Sequence, residues 1–403
     1  MRTSHSEKEH EGCNHQRIHE FLNETITEEQ ESLFVEHLER CDACRSELET
    51  VAAMSSTWEM AQSFLTDDDH DSIRLSSLGE LGEAESNSSS GNLDSNAAEI
   101  SSVLNVLAPT DDPAMLGRLG TYEVSGVVGA GGMGVVLKGH DLALDRVVAI
   151  KVLAPHLATS GTARKRFARE ARAAAAVLHP NVMLIHGVNN EGALPYLVMP
   201  YMRGASLQKR IDDFGPLSTV EILRVASQIA SGLAAAHAQG LVHRDIKPAN
   251  IMLADGLEQV AITDFGLARA VDDATMTRSG VITGTPQYMS PEQARGEPID
   301  SRSDLFSLGS LIYAMCVGHS PFRAESSYGV LKRVNDDEAR EIRQSNPEIP
   351  AWLCRLVTLL HQKDRNLRIG TAREVEELLT QCLAHVEQPG SCDLPEMLSV
   401  ETG

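Results

Sequence analysis

The sequence predicts an α+β fold with two lobes, a small sheet-rich lobe over residues 119–201 and a larger helical lobe over residues 202–385. Two observations support this division. From Tyr122 the chain is rich in β-branched residues and interrupted by glycine, whereas after Ser218 it continues as long segments rich in alanine and leucine. Because the strands precede the helices instead of alternating with them, the two kinds of structure are expected to form separate lobes.

Changes in composition delimit further regions outside these lobes. Residues 10–64 are mixed helical and are expected to form a small α-helical domain. Residues 65–118 form an acidic, serine-rich stretch that is expected to be a flexible linker, and residues 386–403 are expected to be a flexible tail. Within the linker, the spacing of four apolar residues fits one face of a helix: Ile100, Val103, Leu104 and Leu107. Two interpretations stay open, a short helix that docks on the folded domain and a stray apolar cluster in a disordered linker.

The overall charge and hydrophobicity exclude some classes of function. The chain of 403 residues carries a formal net charge of −22, which disfavours nucleic acid as a partner because most of the surface repels a polyanion. No apolar run approaches the ~18 residues needed to cross a bilayer. The N-terminus lacks the apolar core of a secretory signal. We therefore expect a cytoplasmic protein that does not bind membranes.

A glycine-rich run in the small lobe is the first candidate binding feature. Glycines at this spacing allow backbone N–H groups to approach phosphate oxygens that a Cβ atom would obstruct. On its own the run is weak evidence, because dinucleotide-binding folds and ordinary loops use the same glycines. The run is Gly129-Ala130-Gly131-Gly132-Met133-Gly134-Val135-Val136.

A lysine in an apolar strand is the second candidate. Lys151 ends the run Val148-Ala149-Ile150-Lys151, so its ammonium is expected to lie inside an apolar lobe. A buried ammonium needs an anionic partner, which the phosphates of ATP would supply. The expected protein partner is Glu170, in a helical segment that follows.

Two further motifs complete the pattern. His243-Arg244-Asp245-Ile246-Lys247-Pro248-Ala249-Asn250 is followed by Asp264-Phe265-Gly266. With the glycine-rich run and Lys151 in the same order, the chain resembles bacterial eukaryotic-like (Hanks-type) serine/threonine protein kinases over about two thirds of its length, and planctomycete-like proteins in particular. The resemblance implies a bilobal protein kinase fold and transfer of the γ-phosphoryl group of ATP to serine or threonine hydroxyls of proteins.

The resemblance also implies a role for each residue of the two motifs. Asp245 would accept the proton of the substrate hydroxyl, and Lys247 would stabilise the transferring phosphoryl group. Asn250 and Asp264 would bind Mg²⁺ or Mn²⁺, hard cations that prefer oxygen ligands. Lys247 also indicates serine/threonine rather than tyrosine substrates.

Residues that would contact ATP follow from the same resemblance. The glycine-rich run would cover the phosphates, and Lys151 would pair with them. Val136, Ala149 and Met252 would sandwich adenine, and the backbone near Pro200-Tyr201-Met202 would form hydrogen bonds with its edge. Pro200 replaces the acidic residue usual at this position and removes a backbone N–H. The expected nucleotide-binding residues are Val128, Gly129, Ala130, Gly131, Gly132, Met133, Gly134, Val136, Ala149, Lys151, Glu170, Met199, Tyr201, Met202 and Met252.

The segment after Phe265 is expected to regulate the enzyme and to dock its substrate. By resemblance, Thr285 would bridge Asp245 and Lys247 beside the substrate, and Thr277 and Ser279 are the expected autophosphorylation sites. Trans-autophosphorylation would need a transient homodimer. Structural roles are expected for Asp304, beneath the catalytic loop, and for a buried pair of Glu292 with Arg368.

The N-terminal domain is expected to bind zinc. His37 and Cys41 are one helical turn apart, Cys44 follows after the turn, and Cys13 is the expected fourth ligand, with nearby histidines as rivals. This stretch resembles the zinc-binding anti-sigma-factor domain of bacteria, which makes a sigma factor a candidate partner. With few apolar residues the domain would depend on structural Zn²⁺ to fold.

Two other functions were weighed against a protein kinase. The first is a catalytically weak, nucleotide-binding scaffold whose zinc domain binds a partner such as a sigma factor, an alternative that rests on Pro200. The complete set of Lys151, Asp245, Asn250 and Asp264 argues against it, because a scaffold has no chemical need for all four. The second, a kinase of small molecules, is disfavoured by Thr285.

Overall fold

A computed structural model describes residues 90–399, with the exception of 132, 255–256, 258 and 266–285, and describes side chains from residue 97 onward. Several predicted residues lie outside this range, so their roles stay predictions. They are the zinc ligands Cys13, His37, Cys41 and Cys44, the phosphorylation sites Thr277 and Ser279, the docking residue Thr285 and Gly132 of the glycine-rich run.

The small lobe is built on a six-stranded antiparallel sheet with the strand order β1-β2-β3-β4-β6-β5. The inward face of the sheet is a continuous apolar core rich in valine, isoleucine and leucine, residues that suit a pleated and half-buried surface. The strands are β1 (Gly117–Leu119), β2 (Tyr122–Gly131), β3 (Gly134–Asp141), β4 (Arg146–Leu153), β5 (Gly187–Asn189) and β6 (Tyr196–Pro200).

A helix of the predicted linker packs on this sheet. Helix α1 (Ser90–Leu104) buries Val103, which is 1% exposed, in the small-lobe core, and Ile100, Leu104 and Leu107 pack beside it. After the helix, Ala108 pairs with Arg118 of β1. Of the two alternatives that the sequence left open, the docking helix is therefore the one observed, and the ordered structure begins within the stretch expected to be flexible.

Two helices connect the strands of the small lobe. Helix α2 (Pro155–Ala158) is a single turn, and α3 (Gly161–Ala175) follows it. The hydroxyl of Ser160 accepts a hydrogen bond from the backbone N–H of Ala163 and so caps α3. Phe167 and Ala171 of α3 pack into the core of the sheet, which fixes the helix against the small-lobe sheet.

The large lobe is mainly helical and contains a small three-stranded sheet of order β7-β8-β9. These strands are β7 (Ala205–Ser206), β8 (Ile251–Ala254) and β9 (Gln259–Ile262). The helices are α4 (Leu207–Phe214), α5 (Thr219–Ala238), α6 (Pro291–Ala294), α7 (Ser301–Val317), α8 (Ser327–Asp336), α9 (Ile342–Ser345), α10 (Ala351–Leu360) and α11 (Ala372–Glu387).

Helix α7 forms the centre of the large lobe. Every residue from Ser303 to Cys316 is buried, and α5, α10 and α11 pack around the helix. Helices that are apolar on all sides are found in such interior positions. Asp304, in the first turn of α7, is 0% exposed and is therefore held at a fixed depth beneath the loop that contains Asp245.

The C-terminal segment packs on the large lobe, where the sequence analysis expected a flexible tail from residue 386. Leu398 is fully buried in the large-lobe core, and the guanidinium of Arg355 donates a hydrogen bond to the carbonyl oxygen of Met397 at 2.7 Å. Among residues 90–399 that the structure describes, no helix is both long and apolar enough to cross a membrane.

Candidate active site

The loop before β8 brings Asp245 and Asn250 together. The Asn250 side-chain amide donates hydrogen bonds to Asp245 O at 2.8 Å and to Asp245 Oδ2 at 2.9 Å. Lys247 Nζ lies 3.4 Å from the same Oδ2. A short 3₁₀ turn, Pro248–Asn250, orients the asparagine inward. The carboxylate is therefore held by one amide and one cation.

These contacts explain the protonation state of Asp245. Burial alone would raise the pKa of this carboxyl group, because desolvation penalises its charged form. The positive charge of Lys247 and the hydrogen bond from Asn250 outweigh burial and hold the pKa of Asp245 below its ordinary value. The group is therefore ionised at neutral pH and able to accept a hydrogen bond from a hydroxyl.

A clamp from the large lobe fixes the backbone that precedes Asp245. Arg244 has a φ of +71°, a left-handed conformation that costs a non-glycine residue about 1 kcal/mol. Asp304 compensates by accepting the backbone N–H groups of His243 at 2.8 Å and Arg244 at 2.7 Å. The Gln293 side-chain amide donates to the carbonyl oxygen of Arg244 at 2.7 Å. Both backbone polar groups of Arg244 are thus fixed by side chains.

Neither Gln293 nor His237, which lies 2.8 Å from Asp304 Oδ2, was identified from the sequence. In Ser290-Pro291-Glu292-Gln293, the glutamine fits a capping box, and the structure contains that box at the start of α6. The capping pattern explains the local hydrogen bond of Gln293. Its contact with Arg244 depends on tertiary structure and has no signal in the sequence.

Lys151 and Asp264 form an ion pair between the lobes. Lys151 Nζ lies 2.7 Å from Asp264 Oδ1, and the two side chains are 1% and 9% exposed. Strand β4 places the lysine inward, and Asp264 follows β9 with a left-handed φ of +63°. Of the four side chains expected at the centre of the site, Lys151 and Asp264 form one contact and Asp245 and Asn250 form the other.

Backbone contacts join these two pairs. The backbone N–H of Thr263, next to Asp264, donates to the carbonyl oxygen of Asn250 at 2.9 Å. Below them, the ring of Phe265 packs on His243 with ring centroids 4.5 Å apart. The four side chains are therefore parts of one site, although up to 113 positions separate them in the chain.

Glu170 is buried on α3, at 7% exposure, with Arg169 Nη2 3.6 Å from its Oε1. The pair of Lys151 with Glu170 that the sequence predicts stays a prediction, because the ion pair described for Lys151 is with Asp264.

A separate apolar cluster lies between the strands of the small lobe. It consists of Val128, Val136 and Ala149, with Met199 and Tyr201 packed against them. All five are among the expected nucleotide-binding residues, and Val136 and Ala149 are two of the three expected to sandwich adenine. The third, Met252, is buried in β8, and Met202 is half-buried just after β6. Pro200 is the last residue of β6, opposite Val148 of β4 and beyond the residues of β6 that pair with β5, so its missing N–H interrupts no pairing with β5.

The described residues of the glycine-rich run form the end of β2 and the start of β3. Gly134 has a φ of +142°, and a Cβ atom there would lie 1.8 Å from the carbonyl oxygen of Val152. No other residue type fits this position. The carbonyl oxygen of Met133 accepts a hydrogen bond from Ala154 N at 3.0 Å, which ties the run to the end of β4.

The comparisons with known proteins decide the family. Residues 122–386 match the protein kinase domain family. The chain belongs to the protein kinase family. The predictions of a bacterial Hanks-type serine/threonine kinase domain and of its bilobal fold are thereby confirmed.

Curated relatives of this kinase domain come from several bacteria. The chain is 36% identical to the serine/threonine-protein kinase PrkC of Bacillus subtilis over 257 residues, which cover 64% of this chain and 40% of PrkC. It is 36% identical to PknB of Mycobacterium leprae over 273 residues, 66% of this chain and 43% of that protein. The chain thus spans about two fifths of the length of these relatives.

Solved structures support the same fold. The chain matches the kinase domain of Mycobacterium tuberculosis PknI with a TM-score of 0.54 and 24% identity, over 68% of this chain and 99% of that domain. At this level of identity the match shows the fold alone.

Membership of the kinase family implies ATP and Mg²⁺ or Mn²⁺. The structure offers one observation that fits a cation. Asn250 is 0% exposed, and its Oδ1 atom is buried without a hydrogen-bond partner among the described residues. A buried amide oxygen without a donor costs free energy unless a cation or another donor approaches it. The donor set of Asn250 and Asp264 therefore fits a hard cation.

The segment after Phe265 that is expected to regulate the enzyme, here called the activation segment, ends at Glu292. This end is fixed to the large lobe of the kinase. Arg368 donates to Glu292 through both Nη atoms, each at 2.7 Å, and Ser303 Oγ donates to Glu292 Oε1 at 2.6 Å. The predicted pair of Glu292 with Arg368 is present, with side chains 2% and 0% exposed.

Proposed function

We propose that this chain is an ATP-dependent serine/threonine protein kinase that transfers the γ-phosphoryl group of ATP to hydroxyl groups of proteins. One observation carries the proposal: Asp245, held by Lys247 and Asn250, belongs to the same site as the Lys151–Asp264 pair. A base, a cation and oxygen ligands in one site are the parts that phosphoryl transfer requires.

In this proposal each residue performs one step of positioning or charge stabilisation. Asp245 orients the attacking hydroxyl and accepts its proton, a role that its ionised state supports. Lys247 neutralises charge on the phosphoryl group during transfer, and Lys151 orients the α- and β-phosphates. The cluster of Val128, Val136 and Ala149 encloses adenine.

Asn250 and Asp264 would hold the cation. Magnesium, when bound, neutralises charge on the phosphate oxygens. The contact of Lys151 with Asp264 therefore has to loosen or rearrange when the nucleotide enters, because the same carboxylate has two partners.

Incubation of the purified chain with γ-labelled ATP and Mg²⁺ tests the proposal. We expect incorporation into the chain or into casein by the wild type, and a loss of at least about a hundredfold in Lys151→Met. Lys332→Met is the matched control, because Lys332 is exposed on α8. Equal incorporation by Lys151→Met and the wild type would instead favour the catalytically weak scaffold, the reading that Pro200 keeps open.

Activation-segment phosphorylation is part of the proposal. Thr277 and Ser279 are the proposed autophosphorylation sites, modified in a transient homodimer, and Thr285 is proposed to contact the protein substrate. Phosphopeptide mapping of the wild type beside Asp245→Asn is the test. Sites modified equally in both preparations are not autophosphorylated.

The N-terminal region is proposed to be a zinc module of the anti-sigma-factor type over residues 10–64, joined by the linker to the kinase domain. Support comes from the spacing of Cys13, His37, Cys41 and Cys44. Its proposed partner is a sigma factor or another regulator, and the proposed setting is the cytoplasm of a planctomycete-like bacterium. About one zinc per chain, lost in Cys41→Ser, is the expected metal content; zinc-free wild type rejects the module.

A further inference from the structure

A basic cleft lies in the large lobe, away from the nucleotide site. It has a volume of ≈ 540 Å³ and is located where α7 ends and the chain turns into α8. Arg323, Arg333 and Arg340 line it, together with His319 and Glu325. Three guanidinium groups therefore face one cleft with a single carboxylate among the charged lining residues.

Two of these arginines are available to a ligand. Arg323 and Arg340 are exposed, and in the part of the chain that the structure describes, their side chains make no hydrogen bond or ion pair. Arg333 is engaged only at the surface: its Nε lies 3.9 Å from Asp337, and its Nη1 donates to the carbonyl oxygen of Arg323. Such exposed pairs are weak and easily exchanged.

The charge of the cleft is locally positive. Its charged lining consists of three arginines and one glutamate, with His319 beside them. The guanidinium groups of Arg340 and Arg323 also act on Tyr313 in the floor of the cleft. Burial raises the pKa of Tyr313, and the two charges oppose that rise. Charge complementarity selects an acidic ligand.

The cleft is continuous with the segment proposed to dock the substrate. Ser320 Oγ, on the wall of the cleft, donates to Gln287 Oε1 at 2.8 Å. Gln287 lies in the 3₁₀ turn Pro286–Tyr288, directly after Thr285. The wall of the cleft is therefore hydrogen-bonded to the turn that directly follows Thr285 in the sequence.

We propose that this cleft docks an acidic segment of the protein substrate, through bidentate contacts of Arg323 and Arg340 with aspartate or glutamate side chains. This inference rests on the proposed kinase function. The substrate class that it names is proteins with an acidic stretch that is separate in sequence from the phosphorylated residue. Guanidinium groups suit the task because their paired N–H donors match the geometry of a carboxylate.

A binding experiment tests the cleft without requiring catalysis. The probe is fluorescein-labelled hexaglutamate, titrated with the full chain and followed by fluorescence anisotropy, with a neutral Gly-Ser hexapeptide as the control probe. We expect Arg323→Glu and Arg340→Glu each to weaken hexaglutamate binding about tenfold. Lys332→Glu changes the charge equally on a neighbouring exposed position of α8 and is expected to change the affinity less than about twofold.

Kinetics then connect the cleft to the substrate. In Arg323→Glu, KM for casein, an acidic protein, is expected to rise about tenfold, while kcat and KM for ATP stay within about twofold. If the wild type transfers no phosphoryl group, the kinase proposal fails, and the anisotropy result still decides whether the cleft binds acidic peptides.

Two outcomes would overturn the inference. Equal hexaglutamate affinity in Arg323→Glu, Arg340→Glu and Lys332→Glu shows that the cleft does not bind acidic segments. The second concerns the acidic run Asp67-Asp68-Asp69 of this chain. In that outcome, replacement of the three aspartates by asparagine tightens hexaglutamate binding several-fold, and Arg323→Glu leaves KM for casein unchanged. That pair of results shows that the chain's own linker, and not the substrate, occupies the cleft.

Discussion

Replacement of Arg368 by methionine tests how the activation segment is fixed to the large lobe. Methionine removes the guanidinium and keeps much of the side-chain volume, so the carboxylate of Glu292 loses its main partner inside the protein. Glu292 is 2% exposed and keeps the hydrogen bond from Ser303 and one from its own backbone N–H. Breaking one half of a buried ion pair leaves an uncompensated charge, which is strongly destabilising.

The magnitude follows from the pKa of Glu292. Burial alone would raise this pKa, but hydrogen bonds from Arg368 and Ser303 and the charge of Arg368 lower it from 4.5 to about 2. At 1.36 kcal/mol per pH unit, that difference corresponds to roughly 3 kcal/mol of stabilisation of the ionised form. We expect Arg368→Met to lower the free energy of unfolding by about 3–5 kcal/mol at pH 7.

The sign of the pH dependence follows from the same shift. Because the pKa of Glu292 is lower in the folded state, its stabilisation is complete above about pH 4.5 and is lost as the pH falls toward 2. In Arg368→Met, the unpaired carboxyl group takes up a proton more readily. The difference in stability between the wild type and the variant should therefore shrink between pH 7 and pH 4.

Urea unfolding followed by circular dichroism at both pH values provides the measurement. Arg373→Met is the control, because Arg373 is exposed on α11 and its pair with Glu376 at 2.8 Å lies at the surface. That control should cost less than about 1 kcal/mol at either pH. A loss in Arg368→Met no larger than in Arg373→Met would refute the reasoning.

Two further predictions concern contacts that hold the site and the small lobe. Gln293→Ala should lower kcat about tenfold while KM for ATP stays within about twofold, because the carbonyl oxygen of Arg244, next to Asp245, loses its side-chain donor. Unchanged steady-state kinetics would reject this role. Val103→Asp should destabilise the small lobe by about 3 kcal/mol in thermal unfolding and detach α1, whereas Ser102→Asp on the exposed face should be near neutral. Equal effects of the two aspartates would contradict the packing of α1.

The motifs around Asp245 and Asp264 could be predicted because each of them is contiguous in sequence and chemically constrained. The contacts between motifs were harder to predict. The ion pair of Lys151 with Asp264 was not predicted, because it joins residues 113 positions apart and depends on how the two lobes pack. Gln293 was missed for a related reason, since its sequence environment fully accounts for it as a helix cap.

Docking of segments outside the central fold was also beyond the sequence. The spacing of Ile100, Val103 and Leu104 fitted a helix, but an apolar cluster in an acidic stretch gives no sign of whether a partner surface exists. The basic cleft illustrates the same limit. Arg323, Arg333 and Arg340 follow one another at intervals of ten and seven positions in the sequence, and only the fold around α8 places them in one cleft.

The role of Asp245 is tested most directly by the variant Asp245→Asn. The measurements are the rate of single-turnover phosphoryl transfer to casein and, on the same samples, the affinity for Mg²⁺–ATP. The predicted result is transfer at least about a hundredfold slower than in the wild type with nucleotide affinity unchanged, because Asp245 acts on the acceptor hydroxyl. Transfer at the wild-type rate by this variant would contradict the account.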